Sequence, residues 1–83
     1  MNLNLLRIAP TLAVTGVGRS GHYQAIAEGL FTKPVKISAR AGGWPTHEVE
    51  QINRARIAGF NDDQMRQLVT KLHAQRKELA PLV

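Results

Sequence analysis

The stretch TLAVTGVGRSGHY, residues 11–23, decides how the chain is read. Gly16, Gly18 and Gly21 spell G-x-G-x-x-G, with the apolar run Leu12–Val14 before them and a second apolar run, PVKISAR, at residues 34–40. On one reading this is the phosphate turn of a dinucleotide-binding unit, with Arg40 placed for a 2′-phosphate. That unit needs several βα repeats to build a sheet covered on both faces. In this 83-residue chain no further strand pattern follows Trp44. The glycines therefore need another use. Gly16 suits a sharp bend between two helices, because glycine takes positive φ at little cost.

Working outward from that bend, residues 8–15 predict a short helix, with Pro10 in its first turn and Leu12, Ala13 and Val14 as apolar contacts. Val17 is an apolar plug after the bend. Arg19 to Gly29 predicts a second helix, with Gly18 or Ser20 near its start and Gly29 past its end. Gly21 sits awkwardly inside it, at a cost of up to about 1 kcal/mol relative to alanine. On this helix Val17, His22, Ala25 and Ile26 share the inner side. Pro34 then disfavours helix. VKIS alternates at period two, ARAGG supplies turn glycines, and Trp44 ends a return strand, which together make a small hairpin. Thr46 predicts the cap of a third helix, with Glu48 and Glu50 in the first turns where the helix dipole favours carboxylates. Val49, Ile52, Ala55 or Arg56, and Phe60 mark its inner side, and Gly59 ends it. Asn61 opens a fourth helix, with Gln64 as its capping-box partner. Met65, Leu68, Val69, Leu72 and Leu79 form its apolar stripe. Asp63, Arg66, Gln67, Thr70, Lys71 and Gln75 are expected to face water.

The order helix, tight turn, helix, hairpin, helix, helix is mostly α with a small β-hairpin. It predicts a winged helix-turn-helix over residues 1–60. Residues 61–83 then form a C-terminal amphipathic helix that packs on the domain or makes a dimer contact. A chain this short buries roughly 60% of its extended surface, so the core is modest.

Charge is distributed unevenly. The chain carries a net +5. Residues 1–45 hold Arg7, Arg19, Lys33, Lys36 and Arg40 against Glu28 alone. A basic surface attracts polyanions and speeds encounter with them. On the outward side of the second helix, Arg19 suits a guanine edge or a phosphate, and Gln24 suits an adenine edge. Ser20 and the helix-start N–H groups suit a phosphate. Tyr23 offers a hydroxyl and a ring. Lys33, Lys36 and Arg40 place cations in and beside the hairpin, where a wing meets the DNA backbone or minor groove. The competing reading of each is a solvated surface charge.

Other chemistry finds little support. There is no cysteine, which removes thiolate metal sites and fits a reducing cytoplasm. His22 reads as a core histidine. His47 and His73 stand far apart with no carboxylate cluster at metal spacing. Asp62 and Asp63 read as helix-start residues and Glu28 stands alone, so neither an enzyme nor a cofactor is expected. Trp44 reads as a core anchor at the base of the wing, with stacking on nucleic acid as the alternative. No apolar run approaches the ~18–20 residues of a membrane span. MNLNLLRIAP lacks a basic start followed by a long apolar core, so no signal peptide is expected.

Residues 5–58 also resemble the AlpA family of phage and prophage regulators, small winged helix-turn-helix proteins related to excisionases and to the DNA-binding part of MerR-type regulators. The resemblance is carried by TGVGRSGHY (residues 15–23), IAEGLFTKPVKI (residues 26–37), and RAGGW (residues 40–44) with Glu48-Val49 after it. Gly18, Gly21, His22, Gln24 and Thr32 depart from the family pattern. The resemblance implies a cytoplasmic, sequence-specific binder of double-stranded DNA. Such a protein controls integrase or excision genes, or acts as an excision directionality factor. It also implies major-groove and phosphate contact for Arg19, Ser20 and Tyr23, and wing contact for Lys36 and Arg40. Because one small module makes few base contacts, a homodimer or a cooperative array on DNA is expected. Contact with an integrase or RNA polymerase is a further possibility. The alternative function is a protein-interaction module that docks on an integrase or another regulator, with DNA contact secondary.

Overall fold

The computed structural model describes residues 3–81. Residues 1–2 and 82–83, the outer ends of the two expected segments, lie outside the described residues. The chain runs β1 (Leu5–Leu6), α1 (Ile8–Thr15), α2 (Arg19–Ala27), β2 (Val35–Ser38), β3 (Ala41–Pro45), α3 (Thr46–Ile57) and α4 (Asp62–Glu78). This is a winged helix-turn-helix, mostly α with a β-hairpin, followed by one further helix.

Gly16 makes the turn between α1 and α2. Its φ is +74°, and its N–H donates to the Leu12 carbonyl at 2.8 Å. A side chain there would be strained, so the glycine at the bend belongs to the turn and not to a phosphate cradle. α2 begins at Gly18 with extended backbone and no side-chain cap. It ends near Gly29, where the Leu30 N–H donates to the Ala25 carbonyl at 2.8 Å.

The sheet order is β1-β3-β2, antiparallel throughout. Sequence periodicity shows the β2–β3 hairpin but not β1, because two residues carry no period. Leu5 pairs with Pro45 and Leu6 with Trp44. The ladder continues one step to Asn4, whose carbonyl accepts both the Thr46 N–H at 2.8 Å and the Thr46 hydroxyl at 2.9 Å. Thr46 is therefore the first residue of α3 and not its cap. The cap position belongs to Pro45, which makes no side-chain cap bond.

Gly43 lets the three strands close. A Cβ there would stand 2.8 Å from Ile37 Cδ1 and 3.1 Å from the Leu6 carbonyl oxygen. Residues opposite each other in an antiparallel pair share a face. Lys36, opposite Gly42, thus shares the face of Trp44. Val35 and Ile37 lie on the other face, where Ile37 stays exposed.

One hydrophobic cluster joins the parts. Phe31 and Trp44 from the hairpin side meet Val49, Ile52 and Ala55 of α3 and Met65, Val69 and Leu72 of α4. α4 starts with the expected capping box: the Gln64 N–H donates to Asn61 Oδ1 and the Asn61 N–H to Gln64 Oε1, both at 2.9 Å. Leu68 is half-buried, while Phe60 and Leu79 remain exposed, against the expectation that they face inward. Phe60 lies past the end of α3 and Leu79 past the end of α4, where Leu79 borders an open hollow with Leu3, Leu5 and Val35.

α4 does more than cover the core. Glu48 is fully buried and meets Arg76 in a two-pronged pair, Nε to Oε2 at 2.8 Å and Nη2 to Oε1 at 2.7 Å. Arg76 Nη2 also donates to the Lys33 carbonyl at 2.7 Å, and the Lys33 N–H donates to His73 Nε2 at 3.0 Å. Arg66 Nε donates to the Glu28 carbonyl at 3.0 Å. α4 thus grips both the end of α2 and the segment that leads into the wing.

Candidate nucleic-acid interface

α2 and the wing face each other across a cleft of about 280 Å³. Arg19 enters it from the first residue of α2, Tyr23 from one turn later, and Arg40 from the β2–β3 turn. Trp44 lines its base. Arg7 completes the set. Its extended backbone immediately precedes α1, and that position carries its side chain to the cleft. Among the described residues, no carboxylate lines the cleft and none of these arginines forms an ion pair. Three unneutralised guanidinium groups around one concavity make a strongly positive site.

The floor under Tyr23 is closely packed. His22, one residue earlier, is buried, with its ring edge-on to Trp44 at 4.6 Å and to Phe31 at 4.7 Å. Trp44 Nε1 donates to the Thr32 carbonyl at 2.8 Å, which fixes the indole. Burial, reinforced by the Arg56 charge, lowers the His22 pKa below its usual value. His22 is therefore an uncharged aromatic wedge at neutral pH, and among the described residues its Nε2 has no hydrogen-bond partner. The sequence places His22 on the inner side of α2. The structure shows what it does there: its ring packs α2 against Trp44 of β3 and against Phe31.

The other expected site residues spread around this cleft. Ser20 is exposed in the first turn of α2. Gln24 is exposed too, with Nε2 donating to Glu28 Oε1 at 3.0 Å. Lys36 and Arg40 line a shallower hollow of about 370 Å³ on the wing itself. Arg40 borders both concavities and links α2 to the wing. Lys33 stands apart from the cleft: its backbone is held by His73 and Arg76 on the α4 side. Arg7 is the residue that sequence reasoning passes over. The available signal is a lone cation directly before a helix, but only folding brings it beside Arg40. Among the described residues, no group of three or more His, Asp or Glu is placed to hold a metal ion.

A helix-turn-helix with a wing and a basic cleft between them defines a class of small regulatory modules. The chain matches the family described as Prophage CP4-57 regulatory protein (AlpA) over residues 4–57, and it belongs to that family. The family is one of regulatory proteins rather than enzymes. The match begins beside β1 and stops at the last residue of α3, so α4 lies beyond it. Searches among curated proteins and among solved structures returned no match. No helix among the described residues is long and apolar enough to cross a membrane.

Proposed function

We propose that this protein binds duplex DNA as a cytoplasmic prophage regulator, with α2 in the major groove and the wing on the adjacent backbone. The observation that carries the reading is the convergence of Arg7, Arg19 and Arg40 on one cleft without a carboxylate. Arg19 and Gln24 read base edges, Tyr23 and Ser20 position α2, and Lys36 and Arg40 hold phosphates from the wing. Arg7 adds a third phosphate contact. The start of α2 supports this arrangement, because it has no side-chain cap and no acidic residue in its first turn. Its free N–H groups favour an anion. Control of integrase or excision genes, or direct service as an excision directionality factor, is the regulatory role that fits the family.

The test is fluorescence anisotropy at roughly physiological salt, using DNA from upstream of the protein's own gene and of a neighbouring integrase gene, with scrambled competitor. Wild type binds one of these sites and resists competition. Arg19→Ala costs about 1–3 kcal/mol and relaxes base preference at one position. Equal affinity for specific and scrambled DNA, unchanged by Arg19→Ala, would overturn the reading.

A further inference from the structure

The α3–α4 side carries a second surface with different chemistry. Two hollows of about 560 and 350 Å³ share Phe60 and Leu68 and run together along α3 and the first half of α4. Their floor is apolar: Ala55, Ala58, Phe60 and Leu68. Phe60 is 43% exposed, a large aromatic ring left partly open to solvent. The rim is glutamine, with two cations, Arg54 and Lys71. Both cations are exposed, and neither has an ion pair among the described residues.

We propose that this groove docks an acidic amphipathic helix of a partner protein. An apolar floor with cationic edges complements a helix whose one face is apolar and whose flanks are carboxylates. Aromatic and arginine side chains are also the usual energetic anchors of such contacts. A second copy of this chain does not supply that helix. The chain is net +5, and its exposed carboxylates on α3 and α4, Glu50, Asp62, Asp63 and Glu78, sit on helices whose apolar stripes (Val49 and Ile52; Met65, Val69 and Leu72) are already buried in the core. Along α4, the exposed Arg66, Lys71 and Lys77 would meet the cations of the rim. Duplex DNA is a poor fit as well, because phosphates gain nothing from Phe60 and Leu68. The groove shares no lining residue with the Arg7–Arg19–Arg40 cleft, so both surfaces are available at once. The inference thus goes beyond DNA binding and does not depend on it.

The test uses the full chain and a labelled synthetic helix of ~18 residues, about 27 Å long, with leucine on one face and glutamate on the other. A counterpart carries lysine in place of glutamate. The expected result is saturable binding of the glutamate helix at micromolar protein and none of the lysine helix. Phe60→Ala weakens binding by about tenfold or more. Lys71→Glu, at an exposed site that leaves the fold intact, weakens it by a similar factor and removes much of its salt dependence. Arg19→Ala leaves it unchanged. Circular dichroism checks each variant's fold; should Phe60→Ala unfold, Lys71→Glu carries the test. Failure of the glutamate helix to bind, equal binding of both helices, or no effect of Lys71→Glu would each overturn the proposal. So would displacement of the helix by scrambled duplex DNA together with loss of duplex binding in Lys71→Glu, which would assign the groove to nucleic acid.

Discussion

The α2–wing half and the α3–α4 half are built on opposite principles. α2 has no side-chain cap at its start and contributes one fully buried side chain, His22. Among the described residues, the cations of the cleft beside it form no ion pair. α3 and α4 hold most of the buried apolar core, a complete capping box and a buried two-pronged ion pair. The difference separates recognition from stability. Charges kept free for a polyanion give little to the fold and repel one another. A helix with a stable seat then has to hold them in place. α4 does so through Arg66, His73 and Arg76, which reach back to the carbonyl of Glu28 and the backbone of Lys33.

The sharpest way to break this division is at Arg76. Arg76→Ala leaves the Glu48 carboxylate buried without a partner and frees the Lys33 carbonyl. Removing one member of a buried pair costs about 3–5 kcal/mol, so thermal or urea unfolding should show a large share of the stability lost. The double change Glu48→Leu with Arg76→Met should recover much of it, since apolar replacements of similar volume are often neutral. An Arg76→Ala protein as stable as wild type would mean that the pair is spectator and that α4 does not anchor the wing.

Arg7→Ala probes the other half and should behave oppositely. It leaves the unfolding curve within about 0.5 kcal/mol, as expected for an exposed substitution. It lowers DNA affinity evenly across sequences and reduces the slope of log K against log salt by about one unit. Titrations at several salt concentrations check this. An unchanged slope would remove Arg7 from the interface and leave the cleft to Arg19 and Arg40.

The smallest effect is on pH dependence, and it joins the halves. Burial and the Arg56 charge lower the folded pKa of His22. Burial, Arg76 and Lys33 lower that of His73, with Glu48 opposing them. The unfolded chain, with histidine near about 6.5, therefore binds more protons than the folded one once the pH drops into that range. Stability is fully present above about pH 6.5 and is lost as the pH falls through the lowered folded values. Melting curves from neutral pH downward should show the loss, and His22→Leu should flatten it. A melting temperature independent of pH over that range would contradict the buried, uncharged role of His22.

What could be read from the residues alone was local. The bend at Gly16, the Asn61–Gln64 capping box, the stripe of Met65, Val69 and Leu72, and the outward set on α2 depend on spacings of a few residues. One-dimensional order keeps such spacings intact. The basic character of residues 1–45 and the resemblance to prophage regulators came from composition and motif, which also need no coordinates. Tertiary structure decided the rest. Leu5–Leu6 becomes a strand only because Gly43 leaves room beside β3. Arg7 enters the cleft only because α1 and the wing turn lie side by side. Glu48 looks like a dipole-stabilising carboxylate in the first turn of α3, yet its partner is Arg76 on α4. Phe60 and Lys71 become floor and rim of one groove only when α4 folds back along α3. Each of these pairings joins groups distant in sequence through burial and direct contact, and no periodicity along the chain encodes which distant side chain will close a given charge or cover a given ring.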